Sequence, residues 1–493
     1  MSILLLEASN IEKYFADEKI LDIKSLKIYE GDRIGFVGPN GSGKTTLLNI
    51  LAGELAPDGG TIRRVCNISY IRQFNFSLTN QDILGSDHVQ KLGQYGVLSI
   101  ADNEITSGGE ATRIKLAYAL STPGQLVFAD EPTSSLDIYG IKQFSNELYG
   151  LTSFILISHD RDLLNLHCNR ILTIENGDIA IYEGNYDAYK QQQEAKQKRQ
   201  QFEYEQYQNE KSRLQNVYKD KKSKAAKVAK KPKGMSSSEM KQRAFVATSR
   251  SFDGRQKQAD QAAKAVQARI GQLDVKERPK ETTKIKLDFA LTDPPRNKIV
   301  LSGSDINFAY GQNTLFENAA FEIQNGARIS LQGKNGSGKT TLLNLIFEGH
   351  PSIYQVPKLR IGYFRQGLTN IDHSKTVLQN ALSESVQSET TVRSALARLL
   401  FTRNNINKPA GVLSGGERVK LSLAKLLVSD CNMLLMDEPT NYLDMPSLEV
   451  LQAILSEYEG TMMLVSHDKA FTDAICTGVL YIKDKGCHFW QNR

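Results

Sequence analysis

No stretch of this sequence comes close to the roughly 20 consecutive apolar residues that a bilayer-spanning helix requires, so no membrane span of that kind is expected. The opening residues, Met1 to Asn10, carry neither a charged leader nor a small-residue cleavage site, and a cytoplasmic protein is expected. Cysteine is scarce. Cys66, Cys168, Cys431, Cys476 and Cys487 are odd in number and lack the paired spacing of a metal site, so neither a disulfide framework nor a structural zinc is expected. Glycine and proline are both missing from Tyr186 through Lys231. That gap removes turns from the span and leaves one uninterrupted helix as the expectation.

At 493 residues the chain exceeds a single hydrophobic core, and two or three domains are expected. Its charge is unevenly placed. Lys190 to Lys280 holds 24 Lys and Arg against 10 Asp and Glu, a surplus of 14, whereas the whole chain is only +6 and the remainder is therefore acidic by 8. A basic insert between two acidic halves suits contact with a polyanion. The helix beginning at Tyr186 should run some 40 to 45 residues, roughly 60 to 65 Å. Tyr207, Leu214, Tyr218, Ala225 and Val228 form a narrow apolar seam along it; Ala262, Val266, Ile270 and Leu273 form a second seam further on, the pattern of an antiparallel two-helix arm.

Between the helices a tip of about residues 232–254 is broken by Pro, Gly and Ser and mixes cations with aromatics. A charge run is ordinarily a solvated face, but a one-signed surplus with two phenylalanines inside it favours phosphates and unstacked bases. The candidate RNA contacts are Lys221, Lys222, Lys224, Lys227, Lys230 and Lys231 on the outgoing helix, and Lys233, Lys241, Arg243, Phe245, Arg250, Phe252 and Arg255 at the tip.

Before the arm, an apolar strand at 32–37 runs into Gly38, Asn40, Gly41, Ser42, Gly43, Lys44, Thr45 and Thr46, a complete P-loop. Its glycines turn backbone N–H groups inward around phosphates, Lys44 neutralises them, Thr45 can ligate Mg²⁺, and the next helix presents its positive end. The strand 126–130 ends in Asp130 and Glu131, suited to holding Mg²⁺ through water and to polarising an attacking water. A further strand ends in Ser158, His159 and Asp160; an isolated His159 would be read as a structural residue, but at this sheet edge it can sense a γ-phosphate. Gln73 follows a strand at 68–71, and Thr106, Ser107, Gly108, Gly109 and Glu110 open a helix, a second phosphate-binding N-terminus.

From Val300 the order repeats. Tyr310 stands where Phe15 stood. Gly333, Asn335, Gly336, Ser337, Gly338, Lys339, Thr340 and Thr341 form a second P-loop, followed by Gln366, Ser414, Gly415, Gly416, Asp437, Glu438 and His467.

P-loop, glutamine, Ser-Gly-Gly-Glu, Asp-Glu and His in this order resemble the ATP-binding cassette (ABC) ATPases. The resemblance implies that Phe15 and Tyr310 stack on adenine, that Gln73 and Gln366 reach the metal with Thr45, Thr340, Asp130 and Asp437, and that Glu131, Glu438, His159 and His467 are catalytic. It also implies head-to-tail pairing. Lys44, Thr45, Gln73, Asp130, Glu131 and His159 would face Ser414 to Gly416, and Lys339, Thr340, Gln366, Asp437, Glu438 and His467 would face Ser107 to Gly109. Ser135, Leu136 and Asp137 would be the crossing loop. Two departures, Thr106 for the usual Leu and Ser134-Ser135 against Asn441-Tyr442 in the second copy, hint at unequal ATP sites.

Tandem cassettes around a long basic helical linker resemble the ABC-F family of ribosome-binding factors, and the resemblance covers the whole chain. The short spacing from Gln73 to Ser107 leaves little room for the extra arm of many housekeeping members, and the run 230–234 is similar to the Vga-like and Msr-like antibiotic-resistance proteins. The chain stops at Arg493 without the basic tail of some relatives. The expected architecture is α/β: two tandem ABC-type P-loop ATPase domains, residues 1–187 and 295–493, joined by a long antiparallel two-helix basic linker at 188–294. The resemblance implies ATP and Mg²⁺ as cofactors, ATP hydrolysis, and a ribosome-associated monomer whose own two cassettes pair. Binding at the exit site, it would touch peptidyl-site tRNA and displace macrolides, or pleuromutilins, lincosamides and streptogramin A. A housekeeping ABC-F translation factor and the ATPase subunit of an ABC transporter remain as alternatives.

Overall fold

Short uninterrupted apolar runs make the central strands, because a parallel strand covered on both faces has no wet side to alternate toward. Leu126–Asp130, Phe154–Ile157, Met433–Asp437 and Thr461–Val465 are buried at every position. The computed structural model describes residues 3–15, 18–72, 108–121, 124–134, 136–175, 177–229, 249–276, 295–365 and 370–490. They divide into one unit of Met1–Tyr189 with Thr283–Arg493 and a second of Lys190–Thr282.

The first cassette opens with β1 (Leu4–Phe15), β2 (Glu18–Tyr29), β3 (Arg33–Val37), α1 (Lys44–Ala52), β4 (Gly59–Arg64) and β5 (Ile68–Ile71). It continues with α2 (Gly108–Ser121), β6 (Leu126–Asp130), α3 (Ile138–Gly150), β7 (Phe154–Ile157), α4 (Arg161–His167), β8 (Arg170–Glu175) and β9 (Asp178–Glu183). The opening strand β1 runs on to Phe15, paired with β2 through an irregularity at Lys13 and Tyr14. One antiparallel sheet has the order β2-β1-β4. The larger sheet is β5-β6-β7-β3-β8-β9, parallel except for β9.

Unit two holds most of α5 (Tyr186–Ala229), 44 residues and about 66 Å long, and α6 (Ser249–Gly271). Lys276 Nζ lies 3.9 Å from Glu203, so the chain just past the end of α6 lies beside the first half of α5 and the two run antiparallel. Leu214 on α5 and Ala263 and Val266 on α6 are buried apolar side chains among the described residues of this unit. Ala263 therefore takes the core position in place of Ala262, which is only partly buried.

The last residues of the expected tip are helical. Helical backbone begins at Ser249, so Arg250, Phe252, Gly254 and Arg255, assigned to the tip, lie on α6. A single Gly costs a helix only about 1 kcal/mol, and the Ala- and Gln-rich residues after it more than offset that. Lys230, Lys231, Lys233, Lys241, Arg243 and Phe245 lie outside the described residues.

The second cassette repeats the first: β10 (Ile299–Tyr310), β11 (Asn313–Gln324), β12 (Arg328–Gln332), α7 (Lys339–Glu348), β13 (Ile353–Gln355) and β14 (Ile361–Phe364), then α8 (Val377–Leu382), α9 (Glu389–Arg398) and α10 (Gly415–Val428). It ends with β15 (Met433–Asp437), α11 (Met445–Glu457), β16 (Thr461–Val465), α12 (Lys469–Ile475), β17 (Gly478–Lys483) and β18 (Gly486–Trp490). Its sheets, β11-β10-β13 and β14-β15-β16-β12-β17-β18, follow the same order. No helix among the described residues is long and apolar enough to cross a membrane.

Leu214→Ala should remove a buried apolar side chain from α5 and destabilise the two-helix unit by about 2 kcal/mol or more. Amide hydrogen exchange should then rise in both helices while the central strands of the cassettes keep their protection.

Candidate active site

The strand order decides where the chemistry gathers. In the first cassette β6, β7 and β3 are adjacent and parallel, so the P-loop after β3, Asp130 and Glu131 at the end of β6, and His159 after β7 emerge at one edge. Gly43 has a left-handed backbone (φ 95°), and a Cβ there would lie 2.9 Å from Leu21, so only glycine closes the loop against β2. Gly338 repeats this with φ 99° against Phe316.

The buried Lys44 ammonium donates to the Gly38 and Pro39 carbonyls, both at 2.8 Å, and Lys339 donates to those of Gly333 and Lys334 at 2.9 and 3.1 Å. Thr45 Oγ1 donates to Asp130 Oδ2 at 2.7 Å, and Thr340 bonds Asp437 in the same way. Both amines are pulled below the ordinary lysine value, and both aspartates raised, by burial.

Glu131 and Glu438 sit in left-handed backbone, φ 48° and 50°, a conformation a non-glycine residue holds only where its surroundings impose it. Burial, with the neighbouring aspartate second, lifts Glu131 to about 8 and Glu438 to about 7. His159 Nε2 is 3.1 Å from Glu131 Oε1 and His467 Nε2 is 3.3 Å from Glu438 Oε1. Burial, then the adjacent lysine, pushes each imidazole down to about 4, so both rings are neutral at pH 7. A carboxyl poised near neutrality can take a proton from water at physiological pH.

The two cassettes meet head to tail. Asp444 Oδ2 accepts from the Asn40 backbone N–H at 2.9 Å, and Asn40 Nδ2 donates to the Tyr442 carbonyl at 3.0 Å. Gly416 comes close enough that a Cβ would lie 3.2 Å from Asn40 Nδ2, which brings the second Ser-Gly-Gly to the first P-loop. Ser414 opens α10 with a reciprocal cap to Glu417. The opposite contact is looser: Asp137 Oδ2 lies 3.5 Å from the Asn335 N–H.

One cavity of about 1180 Å³ joins both P-loops, Asp130, Glu131, His159, Ser414 to Gly416, Asp437, Glu438 and His467. Phe15 and Tyr310 stand at its rim, 51% and 59% exposed, as rings free to stack must be. Gln73, Ser107, Ser135 and Gln366 lie outside the described residues; Gly108 and Gly109 start α2. Sequence reasoning missed Ile20, Asn313 and Leu315 in the lining, and named Tyr442 only as a difference between the copies. Asn313 and Leu315, just past Tyr310 where β11 starts, could have been found from position; Tyr442, whose carbonyl does the work, carries no side-chain signal.

The donor set fits a nucleotide with Mg²⁺. Backbone N–H groups and two lysines converge on the cavity, the buried hydroxyls of Ser42 and Ser337 have no hydrogen-bond partner, and the Thr45–Asp130 and Thr340–Asp437 pairs offer hard oxygen ligands.

Comparison with known proteins agrees. A family model described as ABC transporter matches residues 21–134 and 316–441. The erythromycin resistance ATP-binding protein MsrA of Staphylococcus epidermidis is 33% identical over 475 residues, covering 92% of this chain and 94% of that protein. The ribosome protection protein VmlR of Bacillus subtilis (strain 168) is 30% identical over 492 residues, 97% of this chain and 86% of its own length. The chain belongs to the ABC-F ATPases, in their antibiotic-resistance branch. A solved structure of RNase-L Inhibitor shares the tandem fold of this ABC-F chain, with a TM-score of 0.64 at 18% identity over 96% of this chain and 87% of the other. As an ABC-F protein it is an ATPase.

Both glutamates hold their protons more tightly in the folded chain than at the ordinary value of 4.5. Stability of the nucleotide-free protein should therefore fall as pH rises from that value towards about 8. Replacing both by glutamine removes the ionisation, so the melting temperature gained by the double variant should be larger at about pH 8 than at about pH 5.

Proposed function

We propose that this ABC-F ATPase binds the ribosome when ATP closes its cassettes, and dislodges antibiotics from the large subunit. The observation that carries the reading is the pairing of a cross-cassette nucleotide site with a long arm of strongly positive charge. The Asp444–Asn40 contact and the proximity of Gly416 describe a site that needs both cassettes, so ATP shared between them holds the halves together. In this mechanism Lys44 and Lys339 neutralise the β- and γ-phosphates, and the P-loop amides orient them. Glu131 and Glu438 take the proton of the attacking water. His159 and His467, neutral and beside these carboxyls, orient the γ-phosphate. Thr45, Asp130 and Gln73, with Thr340, Asp437 and Gln366, would hold Mg²⁺, which would offset charge on the phosphates.

The names of VmlR and MsrA, ribosome protection and erythromycin resistance, support a ribosomal target in the cytoplasm and make erythromycin the first drug to test. Docked at the exit site, the arm touches peptidyl-site tRNA and its tip reaches toward the drug. Either macrolides or the pleuromutilin, lincosamide and streptogramin A group are displaced. The molecule works as a monomer that pairs its own cassettes.

Glu131→Gln with Glu438→Gln should lower kcat for ATP about 10²- to 10⁴-fold while ATP still binds. The double variant should co-sediment with ribosomes in ATP. If it does not, the ribosomal reading fails; if it does but no large-subunit antibiotic loses potency in cells expressing the parent protein, the housekeeping role takes its place. Reversing the charge of Lys221, Lys222, Lys224 and Lys227 should flatten the dependence of log K on log salt by somewhat under one unit per lost phosphate contact. An unchanged slope would make that stretch a solvated spacer.

A further inference from the structure

The two cassettes are copies, yet the helices that follow their crossing aspartates are used differently. In the second cassette α11 starts at Met445, which is 3% exposed and packs in the apolar core of the first cassette with Leu136 and Tyr186. The matching residue on α3, Ile138, is 44% exposed. Asp444, capping α11, bonds the first P-loop at Asn40; five residues on, Glu449 Oε1 accepts a 3.0 Å hydrogen bond from the Tyr186 hydroxyl. One turn further, Gln452 Oε1 accepts from Arg161 Nη1 at 3.1 Å, at the start of the helix after His159. Glu449 and Gln452 share a helix face. At the position equivalent to Glu449 the first copy has Lys142, which is exposed.

Tyr186 is the first residue of α5, the helix that becomes the arm. This root is fastened to the first cassette: the Asp187 N–H donates to Asn165 Oδ1 at 2.9 Å, those of Ala188 and Tyr189 donate to Asn185, and Tyr189 stacks edge-on against Tyr182 with centroids 5.0 Å apart. Burial, and next the Glu449 carboxylate, raise the Tyr186 phenol, so it remains a donor across the physiological range. Its hydroxyl reaches past its own cassette to a carboxylate of the other.

We propose that α11 is a strut between the first ATP site and the arm: seating Asp444 on the first P-loop carries Glu449 onto Tyr186 and fixes the arm root. Tyr186 and Glu449 are positioning residues, acting on the arm and not on the nucleotide. The link is one-sided. α3 carries no matching acceptor, and the Asp137–Asn335 contact it would start from is the longer one. The proposal concerns how nucleotide closure reaches the arm and does not depend on what the arm touches.

Amide hydrogen exchange on the full chain, without ribosomes, tests it. In the Glu131→Gln, Glu438→Gln background, ATP with Mg²⁺ should slow exchange both at the first P-loop and over residues 186–195. Adding Tyr186→Phe, which keeps the ring, or Glu449→Ala should reduce the ATP-dependent slowing at the arm root about tenfold and leave that at the P-loop in place. Without nucleotide, the root of these variants should exchange as the parent does, and Lys142→Ala should change neither region. The proposal is overturned if ATP slows the root equally in parent and variants. It is overturned too if the variants exchange faster to the same degree with and without ATP, which is a purely structural role, or if ATP slows neither region. Because ribosomes are absent, these results and the co-sedimentation assay can fail independently.

Discussion

The carboxylate of Asp444 does two things with its two oxygens, and the paired architecture depends on both. One caps α11 through the Ser447 N–H at 3.0 Å; the other accepts from the first P-loop at Asn40. The same group that starts a helix in one cassette therefore completes the phosphate loop of the other. Against the cost of burial, the Ser447 side chain, then the Asn40 and Ser447 N–H groups, hold its carboxyl below the ordinary value. Closure is thus written into a helix cap.

Around that contact the edge of each central sheet carries groups that would not be tolerated elsewhere. Two acids follow one another at the end of β6 and of β15; Asp130, Asp437 and Glu438 are buried and Glu131 mostly so, and the second acid of each pair is in left-handed backbone. Folding alone gains nothing from such a placement, since desolvation raises each carboxyl and the backbone stores on the order of 1–3 kcal/mol. The neighbouring lysine and the rigid parallel strands hold it there. In the proposed mechanism this placement supplies a proton acceptor fixed before substrate arrives.

Much of this was legible in the sequence because the signals were local. The P-loop glycines, the apolar pentads ending in two acids and the breaker-free run at 186–231 each specify their own backbone, and β6, β7, α1 and α5 lie where the residues put them. Sheet order was not legible residue by residue, but the repetition of motifs in one order implied a repeated fold. Four features escaped. The start of α6 was missed because Gly254 reads as a break, whereas good helix formers on its C-terminal side carry the helix through it. Ala262 and Ala263 are indistinguishable until a neighbouring helix fixes the register. The Tyr442 carbonyl and the Met445 plug depend on the other cassette's surface, which no window of one chain segment contains.

Met445 sits in a socket while Ile138 does not, so the halves are no longer interchangeable parts. A chain built from two first copies would have exposed isoleucines on both crossing helices and no plug. Duplication supplied the pair, and the lasting identity of the molecule lies in the handedness acquired since: a donor half that bears the arm and a receiver half that grips its base.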